Sequence, residues 1–451
     1  MIRARRRAGA IALAAAANLL PAGAASVHAQ LQSIVFQRDS APLAAPSIYL
    51  TLRRPVVGDA PGAAIVFHSK VRVIGSGGTQ GLFTVDPIAP DAEVALRDQA
   101  APKATAYKVF YRADINSSGE VAWNARLSGG GQGVFRSGPI AVSLIGDPAP
   151  TLLSGTLKMF DLPVITSAGD VVFHATIFGG PTLPTATGTL DVDQGIFRCV
   201  GGDCTPTGAG TLSPMALVGD PVTDRPGRVF CSLVPGVSAS AFGIAFRAST
   251  KVDCADAGEA ELAGVFRESF AAIGAIETLA LQTEPSNPSL VPGGTVYDRF
   301  RDPPAITATG SVVLRASTGG VTRRESFYLC DPASGCPGAL PAEIVVTDGE
   351  LDGDGNVVSR ISVPRISDAG DVSFRARAKG PTARSSGVFA WRSATSTIER
   401  IAVKGDAVPD IPPPGALFQR IDRPWISPGG RITFAAKFRG GAARRGIFLF
   451  E

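Results

Sequence analysis

The sequence has few of the residues, and none of the recognised motifs, on which common enzyme mechanisms depend. Beyond residue 29 it contains only two histidines, His68 and His174. It has no Gly-x-Ser-x-Gly elbow, phosphate-binding loop or dinucleotide fingerprint, and no recognisable Ser-His-Asp or Cys-His set. We therefore expect no catalytic residue. A pair of carboxylates far apart in sequence, as glycoside hydrolases use, would leave no motif and stays open.

After its first segment the chain also lacks a hydrophobic run that could cross a membrane, since none reaches about 18 apolar residues. Residues 1–29 combine four arginines with an apolar run from Ala8 to Leu20 and the small-residue ending Val27-His28-Ala29. This pattern is typical of a secretory signal peptide. We predict a signal peptide over residues 1–29, no membrane span, and an exported, soluble mature protein in the periplasm or outside the cell.

An excess of charge of one sign is absent once this segment is set aside. The whole chain has 43 Lys and Arg against 39 Asp and Glu, and residues 1–29 hold four of the basic residues and none of the acidic ones. The mature chain is therefore formally neutral. Because no block of Lys or Arg appears later, the sequence predicts no nucleic-acid binding.

Extended helical periodicity is missing too, whereas 52 glycines, 35 prolines and many short Val, Ile and Phe runs are present. That composition is typical of an all-β protein with many turns. A Gly-x-Phe-like strand ending recurs about every 60 residues, which indicates a repeat protein. The seven copies end at Phe83, Phe135, Phe197, Phe266, Phe327, Phe389 and Phe448. Each follows an apolar strand anchored on Phe67, Trp123, Phe173, Phe246, Leu314, Phe374 or Phe434.

The middle of each unit reads Pro-x-Ile-(Ser/Asn/Thr)-x-x-Gly-x-Val-x-Phe, clearest over residues 163–173, 364–374 and 424–434. The polar residue can bond its own backbone and the glycine supplies a positive φ, so the motif predicts two strands joined by a tight turn. A Gly-(Val/Ile)-Phe strand and a fourth apolar run complete the unit.

Four strands in each of seven units predict a seven-bladed β-propeller. The last unit stops after Gly446-Ile-Phe448 and lacks a fourth strand, which Ile34-Val-Phe36 near the mature N-terminus would supply. Closing the last blade with that strand removes the exposed edges of an open array. We therefore predict one closed propeller domain over residues 30–451. An open β-solenoid and a row of small sandwiches are the alternatives.

The stretch Asn116-Ser-Ser-Gly119-Glu-Val-Ala-Trp123 resembles the signature of exported bacterial proteins that carry a tandem N-x-x-G-x-x-A-F repeat. The resemblance extends over the mature chain, with Ser or Thr in place of Asn in several copies and Leu314 in place of the aromatic. It implies the repeat architecture. It brings no catalytic residue, because the function of those proteins is undefined.

The six cysteines form three pairs in sequence. Two close pairs follow the third strands of alternate units and one pair spans a unit: Cys199 with Cys204, Cys330 with Cys336, and Cys231 with Cys254. In an exported chain we predict three disulfides. A thiolate zinc site is the alternative, which an oxidising compartment and the lack of a nearby histidine disfavour.

Each unit is preceded by an acidic turn, at Asp39, Asp98, Asp147, Asp220, Glu284, Asp348 and Asp406. The seven carboxylates could form a ring that faces a ligand or a metal ion. We favour the simpler interpretation that each side chain bonds the backbone amides of its own turn.

One acidic turn resembles the start of a calcium loop, with Asp352, Asp354 and Asn356 as candidate ligands. Val357 stands where such loops place glycine, and Val363 where they place a bidentate glutamate. We therefore expect a solvated turn and no cofactor, with weak calcium binding as the alternative.

The residue after the anchoring aromatic is basic in five units, at His68, His174, Arg247, Arg315 and Arg375. Strand alternation places it opposite the core aromatic, which predicts a solvated or channel-lining side chain. Arginine binds carboxylate and sulfate groups bidentately. These five residues are therefore our candidate site for an anionic ligand.

Together these patterns predict an exported, disulfide-stabilised, monomeric propeller that acts as a binding or scaffold module for a glycan or a protein. The alternatives are a polysaccharide-active hydrolase or lyase with a site at the channel mouth, and a structural envelope protein. Convergence of three or more carboxylate, Arg and His side chains from different repeats in one deep pocket would favour the enzyme.

Overall fold

In the computed structural model the chain forms seven antiparallel sheets that are the blades of a β-propeller, which confirms the predicted fold. The structure describes residues 31–43, 46–59, 65–74, 77–85, 91–150, 153–282, 296–319, 325–331, 343–352, 354–380, 384–409, 415–440 and 443–451. Every regular element in these ranges is a strand. No helix long and apolar enough to cross a membrane occurs among these residues.

Each blade is a meander of four strands, and the first strand of blades 3 and 7 is split in two. Blades 1 to 3 contain β2 (Ser47–Val57), β3 (Ile65–Val73), β4 (Gly78–Val85) and β5 (Ala92–Leu96); β6 (Tyr107–Ile115), β7 (Val121–Leu127), β8 (Gln132–Arg136) and β9 (Ile140–Leu144); β10 (Thr156–Phe160), β11 (Val164–Ile165), β12 (Val171–Phe178), β15 (Gln194–Val200) and β16 (Thr211–Leu217). A separate hairpin, β13 (Thr182–Pro184) and β14 (Thr189–Asp191), is inserted in blade 3.

Blades 4 to 7 follow the same order. They contain β17 (Val229–Ala239), β18 (Gly243–Lys251), β19 (Leu262–Ser269) and β20 (Ile276–Leu281); β21 (Tyr297–Ile306), β22 (Val312–Thr318), β23 (Glu325–Cys330) and β24 (Glu343–Thr347); β25 (Val357–Ile366), β26 (Val372–Lys379), β27 (Arg384–Arg392) and β28 (Thr397–Val403); β29 (Leu417–Ile421), β30 (Trp425–Ile426), β31 (Ile432–Arg439), β32 (Arg445–Phe450) and β1 (Leu31–Phe36).

The strand β1 closes the ring, as the sequence predicted. It pairs with β32 in antiparallel register, from Leu31 opposite Phe450 to Phe36 opposite Gly446. Val35 of this strand is only 2% exposed. The last blade therefore obtains its outer strand from the opposite end of the sequence, and its sheet edge is covered.

In six of the seven blades an aromatic pair lies between the second and third strands. Phe67 lies opposite Phe83, and Phe173 opposite Phe197, with ring centroids 6.0 Å apart in both pairs. The third-strand ring folds back over the glycine two residues earlier, since a Cβ added at Gly195 would lie 2.7 Å from the Phe197 ring. The recurring Gly-x-Phe pattern is therefore a packing requirement.

One predicted strand ending is wrong, that of blade 5. Tyr328, and not Phe327, lies opposite Leu314. Ser326 stands in place of the glycine two residues earlier, so the sequence pattern hid the shift. Phe327 points to the other face of the sheet and packs edge-on against Phe374 of blade 6, with ring centroids 5.3 Å apart.

The turn between first and second strands also links neighbouring blades. The Asn116 side-chain oxygen accepts hydrogen bonds from the N–H groups of Ser118 and Glu120, at 3.0 and 2.9 Å. Its amide nitrogen donates to the Thr166 carbonyl of the next blade at 3.0 Å. In other units a Ser or Thr hydroxyl accepts the N–H four residues later: Thr166, Thr307, Ser367 and Ser427.

The acidic turns are held by their own backbone. In four of them the carboxylate accepts the N–H three residues earlier at 2.7–2.9 Å: those of Asp39, Asp147, Asp220 and Asp406. In two other turns a different side chain makes the equivalent bond: Gln99 accepts the Leu96 N–H, and Glu350 accepts the Thr347 N–H. Glu284 lies outside the described residues. The predicted bond from the acidic side chain to its own turn is therefore confirmed in four turns, whereas in those of Asp98 and Asp348 another side chain makes it.

Two of the predicted disulfides are formed. Cys199 of β15 is bonded to Cys204 in the turn that follows this strand, and Cys231 of β17 to Cys254, beyond the end of β18. Cys330 is buried at the end of β23, while Cys336 lies outside the described residues. The third pairing therefore stays a prediction.

Candidate ligand-binding channel

The first strand of every blade is interrupted beside the central channel. In β2 the pairing shifts between Arg53 and Val56, and in β6 between Phe110 and Ala113. Similar shifts interrupt β17, β21 and β25, while blades 3 and 7 have two short strands in this place. Residues in such bulges leave the ladder and their side chains are redirected. Here Arg54 takes a left-handed backbone conformation, with φ 52°.

A cavity of about 1120 Å³ occupies the channel and is lined by residues from all seven blades. Its charged lining is strongly asymmetric. Nine basic side chains from blades 6, 7, 1 and 2 contribute: Arg53, Arg54, Arg112, Arg365, Arg375, Arg420, Arg423, Lys437 and Arg445. Four acidic side chains contribute as well: Asp59, Asp114, Asp368 and Asp422. The four basic blades are consecutive around the ring, because blade 7 closes onto blade 1.

Three of these arginines occupy the same position in consecutive blades 7, 1 and 2, directly before the residue that is usually proline: Arg423, Arg54 and Arg112. We call them the arginine arc. Burial lowers the pKa of Arg112, and the charges of Arg54 and Arg423 lower it further. The Arg112 guanidinium is therefore close enough to Arg54 and to Arg423 for each of them to repel it. Arg54 is held by a hydrogen bond to the Tyr111 carbonyl of the next blade.

The opposite side of the channel is apolar. Blades 3, 4 and 5 contribute no basic or acidic side chain to the described lining. The positions equivalent to the arginine arc are Leu162, Gly236 and Pro303 there. Prolines and aliphatic side chains, such as Pro163 and Val237, continue this wall. The channel thus has a cationic half and an apolar half.

At the positions two residues after that of the arginine arc, blades 6, 7 and 2 place an arginine, a tryptophan and an aspartate against the channel. The Arg365 guanidinium lies over the Trp425 ring at 4.3 Å from its centroid. Burial lowers the pKa of Arg365 to about 10. Asp114 accepts the Ile165 N–H at 3.0 Å. Burial raises the pKa of Asp114 to about 6, although this hydrogen bond and the Arg365 charge oppose the rise.

Of the five residues predicted to bind a ligand, only Arg375 lines the cavity. His174 is buried between blades, with 5% exposure. The His174 side chain is therefore not solvated, because neighbouring blades cover both faces of a propeller blade. Burial lowers the pKa of His174, and lowers that of His68 to about 4, so both are neutral at pH 7.

The other two predicted arginines have partners within the fold. Arg247 donates to the Phe300 carbonyl of the next blade at 3.2 Å. Arg315 forms ion pairs with Asp302, at 2.6 Å, and with Glu325. Among the described residues the Nε of Arg375 is buried without a hydrogen-bond partner, as it is in Arg247 and Arg315, so its place in the cavity lining is what distinguishes Arg375. The structure therefore separates the five candidates, and only Arg375 joins the cationic half of the channel.

The calcium candidates form a backbone-bonded turn. The Asp352 carboxylate accepts the N–H groups of Asp354 and Asn356 at 3.1 and 2.7 Å, and also the Asn356 side-chain amide. Asp354 pairs with Arg400 at 3.0 Å. In the part of the chain that the structure describes, no three His, Cys, Asp or Glu side chains are grouped as a metal ion requires.

Sequence reasoning missed the arginine arc, although a signal was present. Arg54 and Arg423 each precede the proline of the repeated Pro-x-Ile segment. Aligning the seven units on that proline would have brought these positions together. The strand alternation used instead ignores bulges, which are what turn these side chains towards the channel.

Comparison with known proteins assigns this chain to a protein family. A family profile matches residues 18–207 and 204–448, together most of the chain. The chain belongs to the DUF7453 family. It is described as a family of unknown function, so membership assigns no activity. No curated protein matches the sequence.

Solved structures resemble this DUF7453 protein in fold only. The β-propeller domain of the Trilobed protease from Pyrococcus furiosus has 8% identity and a TM-score of 0.42, with 92% of this chain and 95% of that chain covered. An oligogalacturonate lyase in complex with manganese has 11% identity and a TM-score of 0.47, with 94% and 97% covered. The oligogalacturonate lyase from Vibrio parahaemolyticus has 10% identity and a TM-score of 0.43, with 94% and 98% covered. At these values the likeness carries no argument about activity.

Proposed function

We propose that this DUF7453 protein is an exported binding module whose central channel takes an anionic ligand. One observation carries the proposal: nine basic side chains line one half of the channel against four carboxylates. Among the described residues only Arg420 of the nine has a carboxylate within ion-pair distance, Asp422 at 3.4 Å. Arginine is suited to such a site because its planar fork binds carboxylate and sulfate groups in a bidentate manner.

The four channel carboxylates offset part of the charge of the nine basic side chains and leave a formal excess of five positive charges, 9 − 4. Asp59 accepts the Gly429 N–H at 2.9 Å, and Asp368 accepts the Ala308 N–H at 2.7 Å, so both link adjacent blades. Asp114 is bound in the same way to the backbone of blade 3. Clustered cations in a walled cleft focus the electric field and raise the local concentration of anions. A ligand that neutralises them would relieve the repulsion within the arginine arc.

A second candidate function is polysaccharide cleavage, which one observation favours. Carboxylate and Arg side chains from different repeats converge in one cavity, and Asp114 among them has a pKa raised to about 6 by burial. A carboxyl group that titrates near neutral pH is suited to general acid or base catalysis. Degradation of acidic polysaccharides by the wild type, and its loss in Asp114→Asn with binding retained, would support this activity.

The test of the binding proposal compares two triple variants. Arg54→Ala/Arg112→Ala/Arg423→Ala removes the arginine arc. The control replaces three exposed arginines outside the cavity lining, Arg126, Arg299 and Arg439, by Ala. Calorimetric titration with acidic polysaccharides should give binding to wild type and control, and at least tenfold weaker binding to the arc variant.

Thermal unfolding provides the check on folding. Removing the arc relieves a few tenths of a kcal/mol of repulsion per like-charged pair but also removes the bond from Arg54 to the Tyr111 carbonyl. The two effects oppose each other, so the arc variant should unfold within about two degrees of wild type. Equal affinity of the two triple variants for every anion that binds would contradict the channel site. Absence of binding to any anion would leave a scaffold or envelope role.

A further inference from the structure

We infer that the ligand is a linear acidic oligosaccharide with one carboxylate on each sugar ring, lying across the arginine arc. The inference rests on the proposed function and specifies its ligand. It follows from three features of the channel: the repeated placement of the arginines, the size of the cavity and the apolar wall that faces them.

The arginine arc consists of one blade position that is occupied by arginine in three consecutive blades. Arg423, Arg54 and Arg112 stand at the same place in three consecutive blades, and all three line the channel. A single carboxylate has only two oxygens and cannot form a bidentate pair with all three guanidinium groups. An oligosaccharide with regularly spaced carboxylates can bind all three arginines at once. Once the first carboxylate is bound, the next contacts form within the same complex, which raises the overall affinity.

The cavity is larger than a single small anion requires. Pockets for drug-sized ligands are about 300–1,000 Å³, and this channel has a volume of about 1120 Å³. It therefore accommodates several sugar rings. The basic groups Arg375, Arg420 and Arg445 extend the cationic half beyond the arc.

The apolar half of the channel is suited to the uncharged faces of the sugar rings in such an oligosaccharide. Sugar rings have carbon-bound hydrogens on their faces, which pack against aliphatic and proline side chains. Leu162, Pro163, Val237 and Pro303 provide this surface opposite the arginines. A chain that lies between the walls can therefore bind arginine through its carboxylates while its ring faces contact carbon.

The same lining disfavours a nucleic acid as the polyanion. Proteins bind single-stranded nucleic acids by stacking bases on aromatic side chains along a basic groove. Among the described lining residues the only aromatic ring is that of Trp425, and the Arg365 guanidinium covers one of its faces. The channel thus has the charge for a polyanion without the stacking surfaces for bases.

The experiment titrates the protein with galacturonate oligomers of one to six rings, and with the fully methyl-esterified tetramer as the matched neutral ligand. Inorganic sulfate and a sulfated tetrasaccharide are the other probes. We expect affinity to rise at least tenfold from monomer to trimer, and less than threefold from trimer to hexamer. The methyl-esterified tetramer should bind at least tenfold more weakly than the free acid.

Single variants locate the ligand. Arg54→Ala, Arg112→Ala and Arg423→Ala should each weaken trimer binding by about fivefold to tenfold and change monomer binding less. Arg54→Lys keeps the charge but loses the bidentate fork, so it should weaken binding less than Arg54→Ala. Arg126→Ala should have no effect, and thermal unfolding of each variant shows that it is folded.

The outcomes separate this inference from the proposed function. Sulfate or the monomer binding as tightly as the trimer, in an arc-dependent way, would support an anion site and overturn the oligosaccharide. Tighter binding of the sulfated tetrasaccharide than of the free uronate tetramer would overturn the choice of carboxylate. Equal binding of free and esterified tetramers would overturn the inference, and failure of every anion, sulfate included, would overturn both proposals.

Discussion

The Asp302 carboxylate in the blade 5 bulge accepts the backbone N–H of Val363, in the equivalent bulge of blade 6, at 3.0 Å. Val363 is β-branched and has φ 48°, a left-handed conformation that costs free energy for such a side chain. Asp302 also pairs with Arg315 of its own blade at 2.6 Å. One carboxylate thus holds a strained bulge and joins two blades beside the channel.

Asp302→Ala should destabilise the protein by about 2–3 kcal/mol, because the Val363 N–H loses its acceptor and Arg315 loses one of its two carboxylates. Urea unfolding measures the change. Asp191→Ala in the exposed hairpin is the control and should change stability by less than about 0.5 kcal/mol. An equal effect of the two substitutions would contradict the role of Asp302.

The contribution of Asp302 should depend on pH. Burial alone would raise its pKa, but the Val363 N–H and the Arg315 guanidinium outweigh burial and lower the pKa below its usual value. A carboxyl whose pKa is lowered on folding stabilises the protein above its unfolded pKa, and that stabilisation is lost as the pH falls through the folded pKa. The difference between wild type and Asp302→Asn should therefore be largest near neutral pH and disappear in strong acid.

Glu268 should destabilise the protein at alkaline pH. It is completely buried; one carboxylate oxygen accepts the Gly274 N–H, while the other has no partner among the described residues. Burial raises the pKa of Glu268 to about 7, and the nearby Asp220 raises it as well. Because the folded pKa exceeds the unfolded value, stability is retained at acid pH and is lost as the pH rises towards 7.

Glu268→Gln removes the ionisable group from this site. We expect it to be more stable than wild type at pH 8, by on the order of 2 kcal/mol, and to lose that advantage at pH 4.5. Urea unfolding at several pH values measures the difference. Parallel stability curves for the two proteins would show that Glu268 does not titrate as the structure indicates.

The two disulfides should differ in their contribution to stability. The bond between Cys231 and Cys254 closes a sequence separation of 23 residues, and that between Cys199 and Cys204 a separation of 5. On chain-entropy grounds their removal costs about 3 and about 2 kcal/mol. The double Ala variant of the longer loop should therefore unfold at the lower temperature; the reverse order would contradict the entropic account.

The closing strand should be essential to the last blade. Val35 is 2% exposed and lies opposite Ile447 of β32. Val35→Asp would place an unpaired charge in this core and should cost about 3–5 kcal/mol. Gln32→Asp, at a partly exposed position of the same strand, should cost much less. Similar unfolding midpoints in guanidinium chloride for these variants would mean that β1 contributes little to closure.

Much of the fold could be predicted because each blade repeats short-range patterns. The turn at Asn116 bonds its own backbone, and in six blades the glycine two residues before the third-strand aromatic leaves room for the ring. The prediction was wrong at Phe327, where Ser326 replaced the glycine that marks the register. Strand alternation also failed for His174, because a propeller covers both faces of its sheets.

The sequence by itself determined the blade, its turns and the number of its copies, since these depend on residues within about 60 positions of one another. Only the tertiary structure decided which side chains share the channel. Arg423 and Arg54 stand near opposite ends of the chain, and they become neighbours because β1 pairs with β32 and brings blade 7 against blade 1. A local pattern is the same in every unit, whereas the charge of the channel depends on how the units are ordered around the ring.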